Sequence, residues 1–311
     1  MNYHIAALYK FANIEKPHDF KDFLLPQMKQ RKICGTLILA PEGINGTIAG
    51  GPDSMQWIIS WLTANTPLEH KDVKWSGAHE KPFKKTKIKI KPEIVTLRKE
   101  GLDPVRGTGE FVSPDEWNTI LDDPDTLVID TRNYYETQLG GFHGAIDPAT
   151  ESFTDFPEYV ENNLDPQKHK KIAMFCTGGI RCEKASAFMR KKGFKNIYQL
   201  EGGILKYLEV TPPSQSKWKG ECFVFDDRVS VTHGLKQGSA RMCWGCGLPL
   251  TVEDQQAPEY EDGVCCARCA PLLSDERKQV LRDRHRRILE QKEKEMLAQN
   301  TSLDKKEGTH V

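Results

Sequence analysis

The sequence predicts a multidomain protein that combines an α+β domain, an α/β domain and a small cysteine-rich module. Three patterns predict this organisation. Strands and helices alternate in residues 1–98, short apolar strands separated by helices follow, and the span from Cys243 to Cys269 holds five cysteines, four of them in two C-x-x-C pairs. Each pattern is typical of a different kind of domain, so we expect at least three parts.

The first part has the element order of a small α+β domain. Apolar alternation predicts strands over residues 4–9, 34–40, 45–49, 73–75 and 88–97, and helical periodicity predicts helices over 19–30 and 54–64. This order, βαββαβ with an extra strand, is typical of a ferredoxin-like fold. The Gly- and Pro-containing stretch over 99–110 indicates a linker, so the first domain is predicted to cover residues 1–98.

The second part, predicted over residues 110–213, has an α/β pattern. Ser113 and Glu116 form a predicted capping box at the start of a helix, and short apolar strands are predicted over 126–130, 171–175 and 197–200. Strands separated by helices predict a parallel sheet, whose functional sites lie at the carboxyl ends of its strands.

Composition excludes several classes of protein. Lys plus Arg and Asp plus Glu both number 44, so net charge predicts no partner. The first residues lack the pattern of a secretory signal, and no apolar run approaches the ~20 residues that span a bilayer. We therefore expect a cytoplasmic protein without a membrane partner. In that reducing compartment, the nine cysteines favour metal ligands and catalytic thiols over disulfides.

Cys176 has the sequence context of a reactive thiolate. It ends a predicted strand and is followed by a short loop and the start of a helix, where backbone N–H groups and the helix dipole stabilise an anion. Both effects lower the pKa of a thiol, and Arg181 adds a cation for an anionic substrate or intermediate. The loop between them consists of Thr177, Gly178, Gly179 and Ile180.

The length of this loop narrows the chemistry. Phosphatases with a similar cradle place five residues between Cys and Arg, which leaves room for a tetrahedral phosphate. Four intervene here. The shorter loop favours a smaller group on sulfur, such as a sulfane sulfur or an oxygen, and argues against phosphatase activity.

At this point the sequence resembles a known family. Asp130-Thr-Arg132, Gly141-Phe-His-Gly-Ala-Ile146, the Cys176 loop and Leu200-Glu-Gly-Gly-Ile204 follow the order typical of a rhodanese domain. The string from Cys176 to Ser186, together with Pro41-Glu-Gly-Ile-Asn-Gly-Thr47 and the distal cysteine pairs, resembles the bacterial rhodanese-domain tRNA uridine hydroxylases. The resemblance covers residues 1–272 and leaves a charged helical tail over 273–311, predicted to be partly disordered.

The resemblance implies oxygen-dependent conversion of the wobble uridine of tRNA, position 34, to 5-hydroxyuridine. Cys176 would be the essential thiolate, molecular oxygen the co-substrate and tRNA the partner; no flavin or haem site is expected. One alternative is a sulfurtransferase that carries a persulfide to RNA or protein. Another is a non-catalytic tRNA-binding protein. Further protein partners are unknown from the sequence.

Three residues near the loop have two interpretations each. Cys182, in the first turn of the predicted helix, either resolves an oxidised Cys176 as a disulfide or packs as a small residue. Asp130 and Arg132 lie at a neighbouring strand end. They either orient the loop and bind substrate or form a structural ion pair.

The distal cysteines predict a zinc module over residues 240–272. Two C-x-x-C pairs separated by 19 residues fall within zinc-ribbon spacing, and four thiolates leave no open coordination position. The alternative is a set of unmetallated thiols, and Cys265 could replace its neighbour as a ligand. The predicted ligands are Cys243, Cys246, Cys266 and Cys269.

A row of lysines in the first domain predicts RNA binding. Residues 81–99 contain eight Lys or Arg and one Glu, and lysines alternate with apolar residues along a predicted strand. Such a row suits a phosphate backbone, although lysines also protect edge strands against aggregation. The predicted RNA-binding residues are Lys84, Lys85, Lys87, Lys89 and Lys91.

Overall fold

A computed structural model of the chain describes the backbone of residues 2–307 and the side chains up to residue 294, residue 292 excepted. The chain divides into two compact units, of which the first ends at Gly238 and the second begins at Ser239. Among the helices of the described part, none has the length and hydropathy needed to cross a bilayer.

The first domain is a five-stranded sheet with two helices. The strands order as β4-β1-β3-β2-β5, and every pair is antiparallel except β2 with β5. The helices bury Leu24, Met28, Ile58 and Leu62 against the sheet. The ferredoxin-like prediction is confirmed. The elements are β1 (Tyr3–Phe11), α1 (Pro17–Gln30), β2 (Cys34–Ala40), β3 (Gly43–Gly50), α2 (Pro52–Asn65), β4 (Val73–Ala78) and β5 (Thr86–Ile90).

The last strand of this domain is shorter than predicted. It was expected to reach residue 97 but ends at Ile90, because Pro92 has no N–H to offer a neighbouring strand. Side chains satisfy the backbone beyond it: Ile94 N donates to Glu42 Oε1 at 2.7 Å, and the Glu93 carboxylate accepts from Leu97 N and Arg98 N. This segment therefore leaves the sheet and runs toward the central domain.

The central domain contains the predicted parallel sheet, with strand order β6-β10-β9-β7. Ser113 caps its helix as expected, since Ser113 Oγ accepts from Glu116 N. Separate apolar clusters cover the two faces of the sheet. The elements are α3 (Pro104–Gly107), β6 (Glu110–Val112), α4 (Pro114–Asp122), β7 (Thr126–Asp130), α5 (Tyr134–Thr137), β8 (Gly140–Phe142), α6 (Phe156–Asn163), β9 (Lys171–Phe175), α7 (Ile180–Lys191), β10 (Asn196–Leu200) and α8 (Gly203–Val210).

Two short strand pairs complete the first unit. β11 (Trp218–Gly220) pairs with β8, and β12 (Cys222–Phe223) pairs with β13 (Ser230–Val231). The turn between β12 and β13 reaches the first domain, where Arg228 Nη1 donates to Ser76 Oγ at 3.0 Å. This contact closes one side of the junction between the two domains.

Lys184 of α7 forms the other side of that junction. Its side chain is 2% exposed, and its ammonium lies 2.8 and 2.9 Å from the two carboxylate oxygens of Glu42, in the turn between β2 and β3. It also lies 2.5 Å from Glu93 Oε2 and 2.9 Å from the Val95 carbonyl. A buried ammonium needs such partners, so these contacts fix α7 against the first domain.

The second unit surrounds the distal cysteines. Its helix α10 begins at Asp275 and packs Leu281 into the same apolar cluster as the cysteines. The helix ends at Glu307, within the tail over 273–311 that was predicted to be helical. The disorder predicted for the end of the chain falls partly on this helix and partly on residues 308–311, which lie outside the described residues. The elements are β14 (Arg241–Met242), β15 (Pro249–Leu250), α9 (Val252–Gln256) and α10 (Asp275–Glu307).

Candidate active site

Cys176 lies immediately after β9, with β10 and β7 on either side of that strand. The loop from Thr177 to Ile180 turns the chain into α7, and its amide at Gly179 donates to Cys176 Sγ at 3.1 Å. Gly179 has φ +102°, a conformation that L side chains rarely adopt. A β-carbon there would also lie 2.7 Å from the Tyr9 hydroxyl oxygen, so both backbone and neighbour require glycine.

The start of α8 holds this loop from the other side. Ile204 N donates to the Cys176 carbonyl and Leu205 N to the Thr177 carbonyl, each at 3.0 Å. A β-carbon on Gly203 would lie 2.5 Å from the Cys176 oxygen. The glycines of the Leu200–Ile204 motif therefore allow two backbone segments to touch, which fixes the position of the sulfur.

The surroundings of Cys176 favour its thiolate. Burial alone would raise the pKa of this thiol, but a hydrogen bond from the Cys182 thiol, the charge of Arg181 and the amides of Arg181 and Gly179 together hold it well below its ordinary value. A thiolate at neutral pH is the nucleophilic form of cysteine. The geometry thus favours a thiolate at Cys176, and the catalytic role of Cys176 and the loop stays a prediction.

Arg181 is held by a residue that the sequence analysis did not identify. Its guanidinium makes a two-point ion pair with Glu136 of α5, with Nη1 to Oε2 at 2.5 Å and Nη2 to Oε1 at 2.7 Å. Thr177 Oγ1 also donates to Glu136. Burial raises the pKa of Glu136, but Arg181 and Arg132 outweigh it and leave that pKa lowered. Glu136 therefore positions both the arginine and the loop.

Asp130 and Arg132 form a buried ion pair, one of the two interpretations considered for them. Arg132 Nη2 lies 2.6 Å from Asp130 Oδ2, and the same nitrogen donates to the Gly140 carbonyl. The guanidinium carbon of Arg132 lies 5.1 Å from the ring centre of Trp218. Neither residue is among the described residues that line the cavity at Cys176. Their contacts favour a role in shaping the strand end over substrate binding.

The thiol of Cys182 is hydrogen-bonded to the reactive sulfur. It is fully buried, and its sulfur is 3.5 Å from Thr131 Oγ1. Burial and the neighbouring Cys176 thiolate raise the pKa of Cys182 well above its ordinary value, so Cys182 stays protonated and donates to that thiolate. This contact leaves both predicted roles, resolving thiol and packing residue, in place.

A cavity of about 450 Å³ opens in front of Cys176. The central domain contributes the loop residues Thr177, Gly178 and Ile180 together with Arg181. The first domain forms the facing wall, and a third portion comes from the segment around β12 and β13. First-domain residues on this wall include Tyr9, Asn45, Lys74, Trp75 and Lys91. The site therefore exists only where two domains meet.

Three titratable groups at the domain junction were not predicted as site residues. Tyr9 of β1 hydrogen-bonds with Glu183 of α7, and the Lys74 ammonium lies 5.0 Å from the centre of the Tyr9 ring. Burial raises the pKa of Glu183 to about 7; Tyr9, Lys74 and Lys10 oppose this shift, and the Cys176 thiolate adds to it. Such a carboxyl exchanges protons readily at neutral pH.

The predicted RNA-binding lysines are exposed along one edge of the first domain. β5 is an edge strand of its sheet, with Ile88 facing the core. An edge position fits both interpretations of the row, RNA binding and protection against aggregation. The structure also places Lys91 on the wall of the cavity. The exposed lysines are Lys84, Lys85, Lys87, Lys89 and Lys91.

The four distal cysteines predicted as ligands come together. Their sulfur atoms all lie within 4.8 Å of one another, with 3.6 Å between Cys243 and Cys269 and 3.8 Å between Cys246 and Cys266. Four sulfurs around an ion at ~2.3 Å would be separated by ~3.8 Å, so this cluster fits a tetrahedral metal ion. Cys265 lies outside it and donates to the Glu259 carbonyl, which excludes the alternative ligand in this arrangement.

A thiolate held by backbone amides at the end of a parallel strand, with an arginine at the start of the next helix, defines a rhodanese-like protein. Residues 113–209 match the rhodanese-like domain, and residues 3–94 match the UPF0176 acylphosphatase like domain. These two domains in this order are the architecture of the UPF0176 family, to which the chain belongs. This is the family that the sequence motifs resemble.

Solved structures with similarity to parts of the chain include rhodanese-like proteins and an acylphosphatase. The rhodanese-like domain of an Anabaena protein is 17% identical over 36% of this chain and 80% of its own, with a TM-score of 0.30. A rhodanese-related protein from Thermoplasma volcanium is 22% identical over 33% of this chain and 95% of its own, with a TM-score of 0.27. An acylphosphatase from Coxiella burnetii is 14% identical over 28% of this chain and 94% of its own, with a TM-score of 0.23.

Proposed function

We propose that this protein hydroxylates the wobble uridine of tRNA at C5, with molecular oxygen as co-substrate. One observation supports this best: the Cys176 thiolate faces a cavity shared by two domains, and Lys91 of the exposed lysine row lines its wall. A phosphate backbone lying along that row would lead toward the cavity. The reactive sulfur and the RNA-binding surface would thus belong to one site.

The cavity suits a single nucleoside rather than a duplex. Its volume of about 450 Å³ lies within the range of small-ligand sites. Enzymes that act on a base must take it out of the stack, and this costs least in a single-stranded loop. An anticodon loop offers such a base, which is why tRNA rather than double-stranded RNA is the proposed partner.

The thiolate would activate the pyrimidine by addition. Cys176 sulfur forms a bond to uracil C6, and the electron pair of the C5–C6 double bond moves to C5 and the O4 oxygen. The Lys74 ammonium on the facing wall is the group that would stabilise the negative oxygen. C5 then becomes the nucleophile that the reaction requires.

Oxygen would enter at C5 with a thiol as reductant. C5 bonds to one oxygen atom, and protonation gives a hydroperoxide. Two electrons and two protons from two thiols then cleave the O–O bond, leaving a hydroxyl on C5, one water and one disulfide. Loss of the C5 proton expels Cys176 and restores the ring. The sum is uridine, oxygen and two thiols giving 5-hydroxyuridine, water and disulfide, and such thiols are abundant in the cytoplasm, the proposed compartment.

Glu183 is the proposed base for the last step. Its pKa of about 7 leaves it partly ionised at neutral pH, and Tyr9 connects it to the cavity that contains Cys176. A carboxylate acting through a tyrosine hydroxyl can accept the C5 proton without itself contacting the ring. The proposal thereby assigns a function to the contact between the two domains.

We also propose that the distal cysteine cluster holds zinc as a structural ion. Four thiolates suit zinc, and a closed tetrahedral set leaves no position for substrate or water. The ion would connect β14 and β15 with the turn that precedes α10. It would stabilise the second unit and take no part in the reaction at Cys176.

The proposed function is tested by nucleoside mass spectrometry of tRNA. Cells lacking the gene would be complemented with wild-type protein or with Cys176→Ala and grown under ¹⁸O₂. We expect labelled 5-hydroxyuridine derivatives only with the wild type. Their persistence in the knockout would refute the proposal. A 5-fluorouridine tRNA should also trap Cys176 covalently, and the absence of an adduct would exclude addition at C6.

A rhodanese-type sulfurtransferase is the second candidate. The amide at 3.1 Å that faces the Cys176 sulfur would equally stabilise a persulfide. In the same experiment this function predicts loss of thiolated nucleosides in the knockout and unchanged 5-hydroxyuridine. The two candidate functions thus predict the loss of different nucleosides in one measurement.

A further inference from the structure

Two exposed aromatic side chains lie at the cavity. Trp75 of β4 is 40% exposed and Phe225, just after β12, is 57% exposed, and both belong to the cavity lining. Large aromatic side chains are normally buried, so their exposure beside a reactive site indicates a surface that binds something. Neither residue has a role in the chemistry proposed above.

Each ring is in contact with one other aromatic ring and meets it nearly at right angles. Trp75 meets His4 at 6.5 Å and 79°, and Phe225 meets Phe223 at 5.2 Å and 86°. A T-shaped contact occupies at most one face of a ring, which leaves a face for a planar partner. Phe23 differs, since this exposed residue is already stacked on Trp61 at 5.1 Å and 19°.

The segments that carry the two rings are connected to each other. Ser76, next to Trp75, accepts the hydrogen bond of Arg228, and Arg228 is paired with Asp226, next to Phe225. The Arg228–Asp226 pair is buried, with Nη2 to Oδ2 at 2.7 Å. The two aromatic positions are therefore fixed relative to each other before any ligand binds, which reduces the entropy lost on binding.

The charge around the rings indicates the class of partner. Lys74 precedes Trp75, and Lys91 lies on the same wall of the cavity. Aromatic rings combined with lysines are the means by which proteins bind single-stranded nucleic acid, because bases stack on the rings while phosphates contact the cations. In a duplex the bases are already stacked on each other, so the partner must offer unpaired bases.

We propose that Trp75 and Phe225 stack on the nucleotides flanking the target uridine of a single-stranded RNA loop. The inference rests on the proposed function, because that function places the target base in the cavity that both rings line. It adds that the protein reads the loop conformation on both sides of the target and not the target alone. Stacking tolerates any base, so it would select loop shape rather than sequence.

The experiment measures binding of a fluorescent anticodon stem-loop by anisotropy. All proteins carry Cys176→Ala so that no reaction occurs, and Trp75→Ala and Phe225→Ala are added singly and together. We expect the Kd to rise about five- to one-hundredfold for each substitution, the range for loss of one stacked base. The matched control is Phe111→Ala on β6, another exposed aromatic, which does not line the cavity.

A second stem-loop with abasic nucleotides on both sides of the uridine makes the test specific. It should bind the Cys176→Ala protein as weakly as the intact stem-loop binds the double aromatic variant. The abasic stem-loop should bind the double aromatic variant with an affinity no lower than that measured with either change alone. The stacking proposal is overturned if the two losses of affinity add, or if the aromatic substitutions leave the Kd of the intact stem-loop unchanged.

The outcomes separate this inference from the proposed function. If the stem-loop binds as expected but the cells make a thiolated nucleoside, the stacking site stands and hydroxylation fails. If 5-hydroxyuridine forms while the aromatic variants bind normally, hydroxylation stands and the stacking site fails. If the stem-loop does not bind at all, the stacking proposal is refuted, and the nucleoside measurement decides hydroxylation independently.

Discussion

The hydroxyl oxygen of Tyr9 lies 2.7 Å from the point where a β-carbon on Gly179 would stand. A residue of the first domain thus touches the loop that surrounds the reactive sulfur, and that loop has no room for a side chain at this position. The contact makes the shape of the thiolate loop depend on a neighbouring domain.

Gly179→Ala should therefore destabilise the protein. The new methyl group meets Tyr9, and φ +102° is strained for alanine, so we expect a loss of about 1 kcal/mol or more in the free energy of unfolding. Urea denaturation measures it. Gly178→Ala is the matched control, since a β-carbon there meets nothing within 4 Å. Equal stability of both variants would contradict the close contact with Tyr9.

Glu183→Gln should remove a pH dependence. With a pKa of about 7, Glu183 is mainly protonated at pH 6 and mainly ionised at pH 8, so a base at this position predicts about a tenfold rise in kcat between them. The charged and titratable groups around it are Tyr9, Lys10, Lys74 and Cys176. The Gln variant should be slower by about 10²-fold or more, with this rise absent.

The control for Glu183 is Glu110→Gln, an exposed carboxyl on β6. It should retain both the rate and the pH profile of the wild type. A profile that keeps its rise near pH 7 in Glu183→Gln would assign the titration to another group and remove Glu183 from the mechanism.

Glu136→Gln should destabilise the protein by about 3 kcal/mol, because it leaves the buried Arg181 without its anionic partner. The lowered pKa of Glu136 also fixes the sign of the pH dependence. The stabilisation that ionised Glu136 provides is complete above the ordinary glutamate pKa of about 4.3. It is lost as the pH falls through the lower pKa that Glu136 has in the folded protein. The free energies of unfolding of wild type and variant, measured by denaturation at pH 7 and pH 4, should differ less at pH 4.

The exposed Glu158 provides the comparison for Glu136. Glu158→Gln should change the free energy of unfolding by no more than about 0.5 kcal/mol at either pH. If Glu136→Gln changes the free energy of unfolding equally little, solvent reaches Arg181 and the Arg181–Glu136 ion pair contributes little to stability.

Lys184→Met should loosen the junction between the first two domains. The substitution leaves the carboxylates of Glu42 and Glu93 close together without the ammonium that pairs with both. We expect faster proteolysis in the linker over residues 99–110 and a lower rate of the proposed uridine hydroxylation. Lys195→Met, at an exposed position, is the control and should resist protease as the wild type does.

Metal analysis tests the distal cluster. We expect one zinc per chain in the wild type and in Cys265→Ser, because Cys265 lies outside the cluster. Cys243→Ser should lower the zinc content and the melting temperature of the second unit. Equal zinc loss in both variants would show that Cys265 is a ligand, contrary to the arrangement described.

Local patterns were enough to predict the sheets, the thiolate loop and the cysteine cluster. Cys176, its glycines and Arg181 are consecutive in sequence, and so their chemistry can be inferred without the fold. The distal cysteines follow a spacing that only a few structures require. The shortened β5 could also have been predicted, because Pro92 interrupts the strand pattern.

Glu136, Tyr9 and Glu183 could not be identified in this way. Glu136 completes a capping box with Asn133, so its local pattern is explained before its ion pair with Arg181 is considered. Tyr9 occupies an ordinary strand position in another domain. Glu183 lies in the first turn of α7, where the helix dipole already explains an acidic residue. Their roles arise from contacts between distant segments, which no spacing rule encodes.

The first turn of α7 presents four consecutive side chains to four different partners. Arg181 binds Glu136, Cys182 donates to Cys176, Glu183 meets Tyr9, and Lys184 joins Glu42. Successive helical residues point ~100° apart, so one residue inserted into α7 just after Lys184 would turn all four away from their partners while the rest of the helix kept its packing. An extra residue in the loop before Arg181 would instead lengthen the loop and leave the helix in register. The register of α7 therefore fixes the arginine, the thiol donor, the proposed base and the domain junction together, whereas the length of the loop can change separately.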